Sequence, residues 1–170
     1  MIAQLQLPRS LESRIGPVTI RRADAGDLEA ILALMHDDPI SAARGDRPEP
    51  GDEAGYAIAL AAIVDDTRNE LIVAEVSGEV VATMQLTSIP GLSRRGSTRL
   101  LVEAVRVASK LRSSGVGSAM MRWVTDVAAP AVEASIVQLT SDAARSDAHR
   151  FYLRLGFVDS HVGFKYQVGS

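Results

Sequence analysis

The sequence predicts an α/β fold, a mixed sheet with helices on both faces, and three observations carry that prediction. An aliphatic run, Leu100–Ser109, reads as a buried strand and passes directly into Leu111-Arg112-Ser113-Ser114-Gly115-Val116-Gly117-Ser118, which opens a strongly periodic helix. Two more apolar runs, Glu70–Val76 and Glu79–Thr87, flank Ser77-Gly78, the pattern of an antiparallel hairpin with a two-residue turn. Strand and helix patterns follow in the order β-α-α-β-β-β-α-β-α-β with no internal repeat.

Taken in chain order, residues 1–17 show no sustained period and are expected as an N-terminal extension, disordered or loosely packed, ahead of one domain over 18–170. Val18–Arg22 is the first strand. Asp24 and Asp27 resemble a capping pair for a helix with Leu28, Ile31, Leu32 and Met35 on one face, ending near His36 or Asp37 ahead of Pro39. Ser41–Gly55 holds Gly45, Pro48, Pro50 and Gly51 among charges and reads as a mobile loop. Tyr56, Leu60, Ile63 and Val64 mark a second helix. Beyond the hairpin, Pro90-Gly91 and Arg94-Arg95-Gly96 connect to the aliphatic strand. Val116, Ala119, Met120, Trp123, Val124 and Val127 then form a core-facing helical stripe. Ser135–Thr140 is a further strand, Ser146–Leu155 a helix aligning Ala148, Phe151, Tyr152 and Leu155, and Val162–Val168 a last strand.

Composition narrows the function classes. At 170 residues the chain can bury a sizeable core, and with 46% hydrophobic but only 4% aromatic residues that core is aliphatic and alanine-rich. The absence of cysteine excludes disulfides, thiolate zinc sites and a cysteine nucleophile, and fits a reducing cytoplasm. No run approaches the ~18 apolar residues of a membrane span, and Pro8 and Arg9 stand where a signal-peptide core would lie. Net charge is -3, without a Lys/Arg block interleaved with aromatics, so no nucleic-acid surface is indicated. His36, His149 and His161 show no metal-ligand spacing, so no metal is expected. Lys110 and Lys165 are the only lysines, an arginine-heavy usage that fits a GC-rich bacterial genome.

The strand-to-helix connection carries the chemistry. Gly115 and Gly117 allow close backbone approach, and the first helical N–H groups lack intrahelical partners. Free donors at the positive end of the helix dipole favour a phosphate. Two glycines also serve as a tight connection with nothing bound. A Walker loop fits less well because Ser118-Ala119 follows Gly117, and so does a dinucleotide fingerprint because Met120 stands at its third glycine.

Arg112-x-x-Gly115-x-Gly117 resembles the acetyl-CoA pyrophosphate loop of the GCN5-related N-acetyltransferases (GNAT), with signature Gln/Arg-x-x-Gly-x-Gly/Ala. Phe151-Tyr152-Leu153-Arg154-Leu155-Gly156-Phe157 resembles the closing helix of the same family. The two motifs come in the family's order, and the resemblance runs from about Val18 to Val168. It implies the GNAT fold, a mostly antiparallel sheet whose aliphatic strand and following strand splay apart to admit the pantetheine arm. It also implies acetyl-CoA as acyl donor. Arg112, Ser113, Ser114, Gly115, Val116, Gly117 and Ser118 would hold the pyrophosphate, and the backbone of Val105 and Val107 would pair with the pantetheine amides. The N–H of Val105 or Arg106 would stabilise the oxyanion, and Tyr152 would act as general acid.

Acyl transfer to an amine needs a neutral nucleophile. An amine of pKa near ~10.4 is neutral about once in 10³ molecules at pH 7, so deprotonation costs roughly 4–5 kcal/mol without help. Glu103 is the candidate base, the one acid in an apolar strand; strict alternation would put it on the face of Leu101, Val105 and Val107, where partial desolvation would raise its pKa. Its structural alternative is a carboxylate held by an arginine. Tyr152 is equally readable as a core residue beside Phe151 and Leu155. His149, three residues before Tyr152, is a second-base candidate or a plain polar helix residue. Two departures from the family stand out: Arg145 where many members carry Asn, and Ser113 where glycine is frequent. His36, Asp37, Asp38 and Arg44 lie where the family builds its acceptor wall.

These observations lead to an N-acetyltransferase that acetylates a small-molecule amine in one direct step. The alternatives are a non-catalytic acyl-CoA-binding module, a protein N-terminal or lysine acetyltransferase, and an enzyme for longer acyl chains. The resemblance also admits a homodimer through sheet edges or helices.

Overall fold

Strands whose residues are apolar on both faces belong in the middle of a sheet, and the hairpin strands occupy that place. The structure, a computed structural model, describes residues 2–38, 49 and 51–169. The described chain falls into two compact units, one up to Leu139 and one from Thr140 onward. The first holds a six-stranded sheet of β1 (Arg9–Ser13), β2 (Gly16–Arg22), β3 (Asn69–Val76), β4 (Glu79–Ile89), β5 (Thr98–Val107) and β6 (Ala134–Leu139), paired in that order. All neighbours are antiparallel except β5 and β6, which run parallel. The expected mixed, mostly antiparallel sheet is therefore present. Ser77 and Gly78 close the β3–β4 hairpin with φ of +53° and +83°, the handedness that matches strand twist.

Register divides the sheet into two faces. Ile20, Ile72, Ala74, Ala82, Met84, Leu86, Leu100 and Val102 share one face and are at most 1% exposed. Each such large side chain is worth about 1.5–3 kcal/mol of burial. The other face carries Leu71 and Val73, which cluster with Ala23 and with Leu28, Ile31, Leu60 and Ile63 of α1 (Leu28–His36) and α2 (Glu53–Asp65). α3 (Val116–Trp123) packs against β1 and β5 and buries Val116, Met120, Met121 and Trp123.

Three expectations change. The N-terminal residues are not loosely packed: Arg9–Ser13 pairs with β2, and Ile2 and Leu5 are 1% and 3% exposed. An edge strand with one half-exposed face has too weak an apolar period to be read from sequence, and only Leu11 marks it. The α3 stripe shifts at a π-turn over Val124–Ala128, so that Ala128 is buried where Val127 was expected. That turn lies just ahead of Pro130, whose ring crowds the carbonyl four residues back and widens the ladder. Val162–Val168 forms no strand; Val162, Phe164, Tyr166 and Val168 are 79–92% exposed. Of the loop expected over Ser41–Gly55, residues 41–48 and 50 lie outside the described residues, and Glu53 already begins α2.

The second unit contains α4 (Ser146–Arg154). Gly156, at φ +90°, ends it in the left-handed conformation that lets its N–H reach the Leu153 carbonyl at 3.0 Å. Among the described residues no helix is long and apolar enough to cross a membrane, and no group of three His, Asp or Glu is placed to hold a metal ion.

Candidate active site

β5 positions the site by two irregularities. The first is a bulge. Gln85 faces Glu103 and Thr83 faces Arg106, so Ala104 and Val105 together stand opposite the single Met84, with Ala104 at φ +51°. An inserted residue drops out of the ladder and inverts every later side chain. Glu103 therefore shares its face with Leu101 and Arg106, while Val107 joins the face of Val102. This corrects the alternation expected from sequence, which grouped Glu103 with Val105 and Val107. The second irregularity is at the strand's other edge. The β5–β6 ladder runs only to Val102 opposite Leu139, where β6 ends, so among the described residues Glu103–Val107 continue with β4 as their one partner strand.

Glu103 is exposed, so the partial desolvation expected of it is not met, and among the described residues no basic group pairs with it. Arg106 is held instead by Asp38: Nε lies 3.2 Å from Oδ2, with side chains 20% and 5% exposed. Its Nη1 also donates to the Val105 carbonyl at 3.0 Å, occupying one of the two lone pairs of an oxygen expected to face the pantetheine.

β5 ends at Val107, and the chain tightens through Ser109–Leu111 into the glycine loop. Ser113 at φ +64° and Gly115 at φ +91° are both left-handed, and Ser114 Oγ donates to the Leu111 carbonyl at 2.5 Å. Serine where relatives favour glycine is therefore a strained fit. The first intrahelical bond of α3 runs from Ala119 N–H to the Gly115 carbonyl at 2.9 Å. The N–H groups of Val116, Gly117 and Ser118 precede that ladder and point from the helix N-terminus. Arg112 Nη2 donates to the Asp37 carbonyl at 3.0 Å, and the Asp37 carboxylate accepts the Ser109 N–H. That bond holds the Asp37 carboxyl below its ordinary value, with Arg112 adding to the effect. Asp37 and Asp38 thus tie the end of α1 to β5 and to the loop. His36 is exposed, and Arg44 lies outside the described residues. Free donors, a guanidinium and open backbone form a set that suits a diphosphate.

One contact was not legible in the sequence. Arg14, in the β1–β2 turn, donates its backbone N–H to the Ser114 carbonyl at 3.0 Å and Nη1 to the Ser113 carbonyl at 3.4 Å. A Cβ on Gly115 would stand 3.0 Å from Arg14 N and 3.1 Å from its Cγ. The close approach that Gly115 permits is therefore to the chain's own hairpin.

In the second unit, Tyr152 is half-buried between Phe151 and Phe157, edge-on to both at 5.1 and 5.8 Å between ring centres. His149 Nε2 donates to the Asp142 carbonyl at 2.8 Å, and the Arg145 N–H donates to that same carbonyl at 2.9 Å. His149 thereby braces the turn that starts α4.

This geometry has parallels among known proteins. The model of the Acetyltransferase (GNAT) family matches residues 31–157. The aminoalkylphosphonate N-acetyltransferase of Salmonella typhimurium is 35% identical over 63 residues, 37% of this chain. The match spans 40% of that enzyme's length. Among solved structures, a protein of Bacillus halodurans described as a transcriptional regulator is 38% identical, with TM-score 0.80 over 89% of this chain and 99% of its own. A Clostridium acetobutylicum protein described as a predicted acetyltransferase, solved with acetyl-CoA, is 16% identical and shares the fold, with TM-score 0.65 over 88% of this chain and 96% of its own. The chain belongs to the GNAT acetyltransferase family.

Proposed function

We propose that this protein transfers the acetyl group of acetyl-CoA directly to the primary amine of a small molecule, within one transferase domain. The observation that carries the reading is the loop at the end of β5. Left-handed Ser113 and Gly115 turn the chain so that Val116, Gly117 and Ser118 offer N–H groups beside Arg112. That donor set would hold the pyrophosphate, with Ser114 shaping the turn. Acetyl-CoA supplies an activated acyl group and a thiolate leaving group. Val105 and Val107, on the half of β5 that has no β6 partner, would present backbone groups to the pantetheine amides.

Glu103 is the proposed base. Exposed on its face of β5, it would take a proton from the incoming ammonium, directly or through one water. The bulge at Ala104 turns backbone out of the ladder beside it, which supports the N–H of Val105 or Arg106 as the oxyanion donor. Tyr152 takes the acid role on the strength of its motif: a phenol of pKa near ~10 is protonated at pH 7 and donates to a thiolate of pKa near ~8.5. With no cysteine in the chain and no Ser-His-Asp motif in the sequence, direct transfer is the route.

The printed activity of the Salmonella relative supports a small-molecule amine as acceptor and puts aminoalkylphosphonates at the head of the amine panel. Thermal unfolding with acetyl-CoA, with ATP and NAD as controls, tests the cradle. Ligand at ~100 times its dissociation constant adds roughly 2.7 kcal/mol. Thiol release across amines, with lysine peptides included, tests turnover. Glu103→Gln and Tyr152→Phe should each lower kcat by about 10²–10³-fold. Unchanged rates in both variants would overturn the assigned roles.

The regulator description of the Bacillus halodurans relative favours one second reading, an acyl-CoA-binding module without turnover. Binding of acetyl-CoA with no thiol release on any amine would select it.

A further inference from the structure

The hairpin of β1 and β2 reaches across nearly a hundred residues of sequence to rest on the glycine loop. Arg14 makes the contact, through its N–H to the Ser114 carbonyl at 3.0 Å and Nη1 to the Ser113 carbonyl at 3.4 Å. Its Cγ lies 3.1 Å from where a Gly115 Cβ would stand, so the guanidinium stem crosses the residue that caps α3. The side chain is exposed, and among the described residues no carboxylate pairs with it. Arg112 stands in the same loop, tethered by one donor to the Asp37 carbonyl. Arg14 thus rests on the loop that leads into the N-terminus of α3, and Arg112 belongs to that loop. A cation beside the positive end of a helix is unfavourable unless an anion lies between them.

Coenzyme A carries three phosphates in two places. Its pyrophosphate matches the loop N–H groups and Arg112. The separate 3′-phosphate on its ribose is a dianion that needs a cation of its own. We propose that Arg14 receives the 3′-phosphate of coenzyme A, so that the N-terminal hairpin selects coenzyme A over its 3′-dephospho form. The proposal rests on the reading of the loop as a coenzyme A cradle. The guanidinium of Arg14 suits a phosphate dianion, being a planar fork with one donor tethered by a carbonyl and the others open to the ligand.

Calorimetric titration of coenzyme A and of 3′-dephospho-coenzyme A into wild-type protein, Arg14→Ala and Arg14→Lys tests it, with circular dichroism confirming that each variant is folded. Wild type should bind coenzyme A about tenfold or more tightly than the dephospho form, the worth of one charge-assisted contact. Arg14→Ala should bring coenzyme A down to the dephospho level while leaving dephospho-coenzyme A unchanged. Arg14→Lys should restore part of the preference, and the preference should fade as salt is raised. Equal weakening of both ligands in Arg14→Ala would mean that the hairpin only props the loop, and would overturn the proposal while the cradle stands. Equal affinity of wild type for both ligands would overturn it as well. Wild type binding neither would remove the cradle reading itself.

Discussion

Gly115 shows how much one residue's conformation and neighbours decide. Its φ of +91° is disfavoured for any side chain, and a Cβ there would also press on Arg14 at 3.0 Å, an approach real Cβ atoms scarcely make. Gly16, at φ +101° with nothing within 4 Å, separates the two effects. Gly16→Ala should cost about 1–2 kcal/mol of backbone strain alone. Gly115→Ala should cost that plus the displacement of the hairpin, and should weaken acetyl-CoA binding where Gly16→Ala does not. Chemical denaturation and titration of both variants check this. Equal stability losses would mean that the Arg14 contact yields freely. The need for glycine at 115 was legible from the motif. Its reason was only half legible, because Arg14 lies in a segment with no periodic signal and meets the loop only through tertiary folding. Glu103 was read as a site residue, but its face was not. Alternation presumes a regular strand, and the bulge at Ala104 leaves no mark in an aliphatic run.

At the scale of elements, α1 enters through a charged cap. Asp24 accepts the Gly26 N–H and Asp27 accepts the Asp24 N–H, each at 2.8 Å, the reciprocal pair the sequence announced. The sequence did not announce Arg21, whose guanidinium grips both oxygens of Asp27 at 2.7 Å and also binds Glu75. Arg21 holds the buried Asp27 carboxyl below its ordinary range, despite the burial that opposes this, and the Asp24 N–H adds to it. A carboxyl with a depressed folded pKa contributes stability that is complete above its unfolded value near ~3.9 and is lost as pH falls through the lower folded value. Asp27→Asn should therefore destabilise by roughly 1–3 kcal/mol at pH 7, through a weakened cap and an Arg21 left with Glu75 as its carboxylate partner. The gap to wild type should close below about pH 4. A gap that persists unchanged to pH 2 would show that the carboxylate's charge is not what anchors α1. Elements with a strong period on one buried face, such as α3 and the β3–β4 hairpin, were legible. The alternation at Val162, Phe164, Tyr166 and Val168 misled, because period 2 reports a capacity to pair and names no partner strand.

Across the whole molecule, burial is unevenly shared, and stability should follow it. Among the described residues, every one below 9% exposure lies in the first unit, with Ile20, Ile72, Met84, Leu86 and Leu100 at zero in the middle of the sheet. Among its described residues the second unit has none: α4 buries Phe151 and Tyr152 only in part, and from Val158 to Val168 large apolar side chains are mostly exposed. Local opening is cheap where few apolar contacts are lost, and amides inside a fully buried sheet exchange only when the fold opens as a whole. Native-state hydrogen exchange should accordingly sort the chain in two. Amides of Ile72–Ala74, Ala82–Met84 and Leu100–Val102 should share one slow rate that tracks global stability in denaturant. Amides within α4 should exchange at least about 100-fold faster and respond little to low denaturant. Acetyl-CoA at saturation should slow the first group together, since a ligand that binds only the folded state raises the cost of global opening for all of them alike. If α4 exchanges at the rate of β3 and β4, the chain unfolds as one cooperative body, and half-burial in this helix does not measure its hold on the fold.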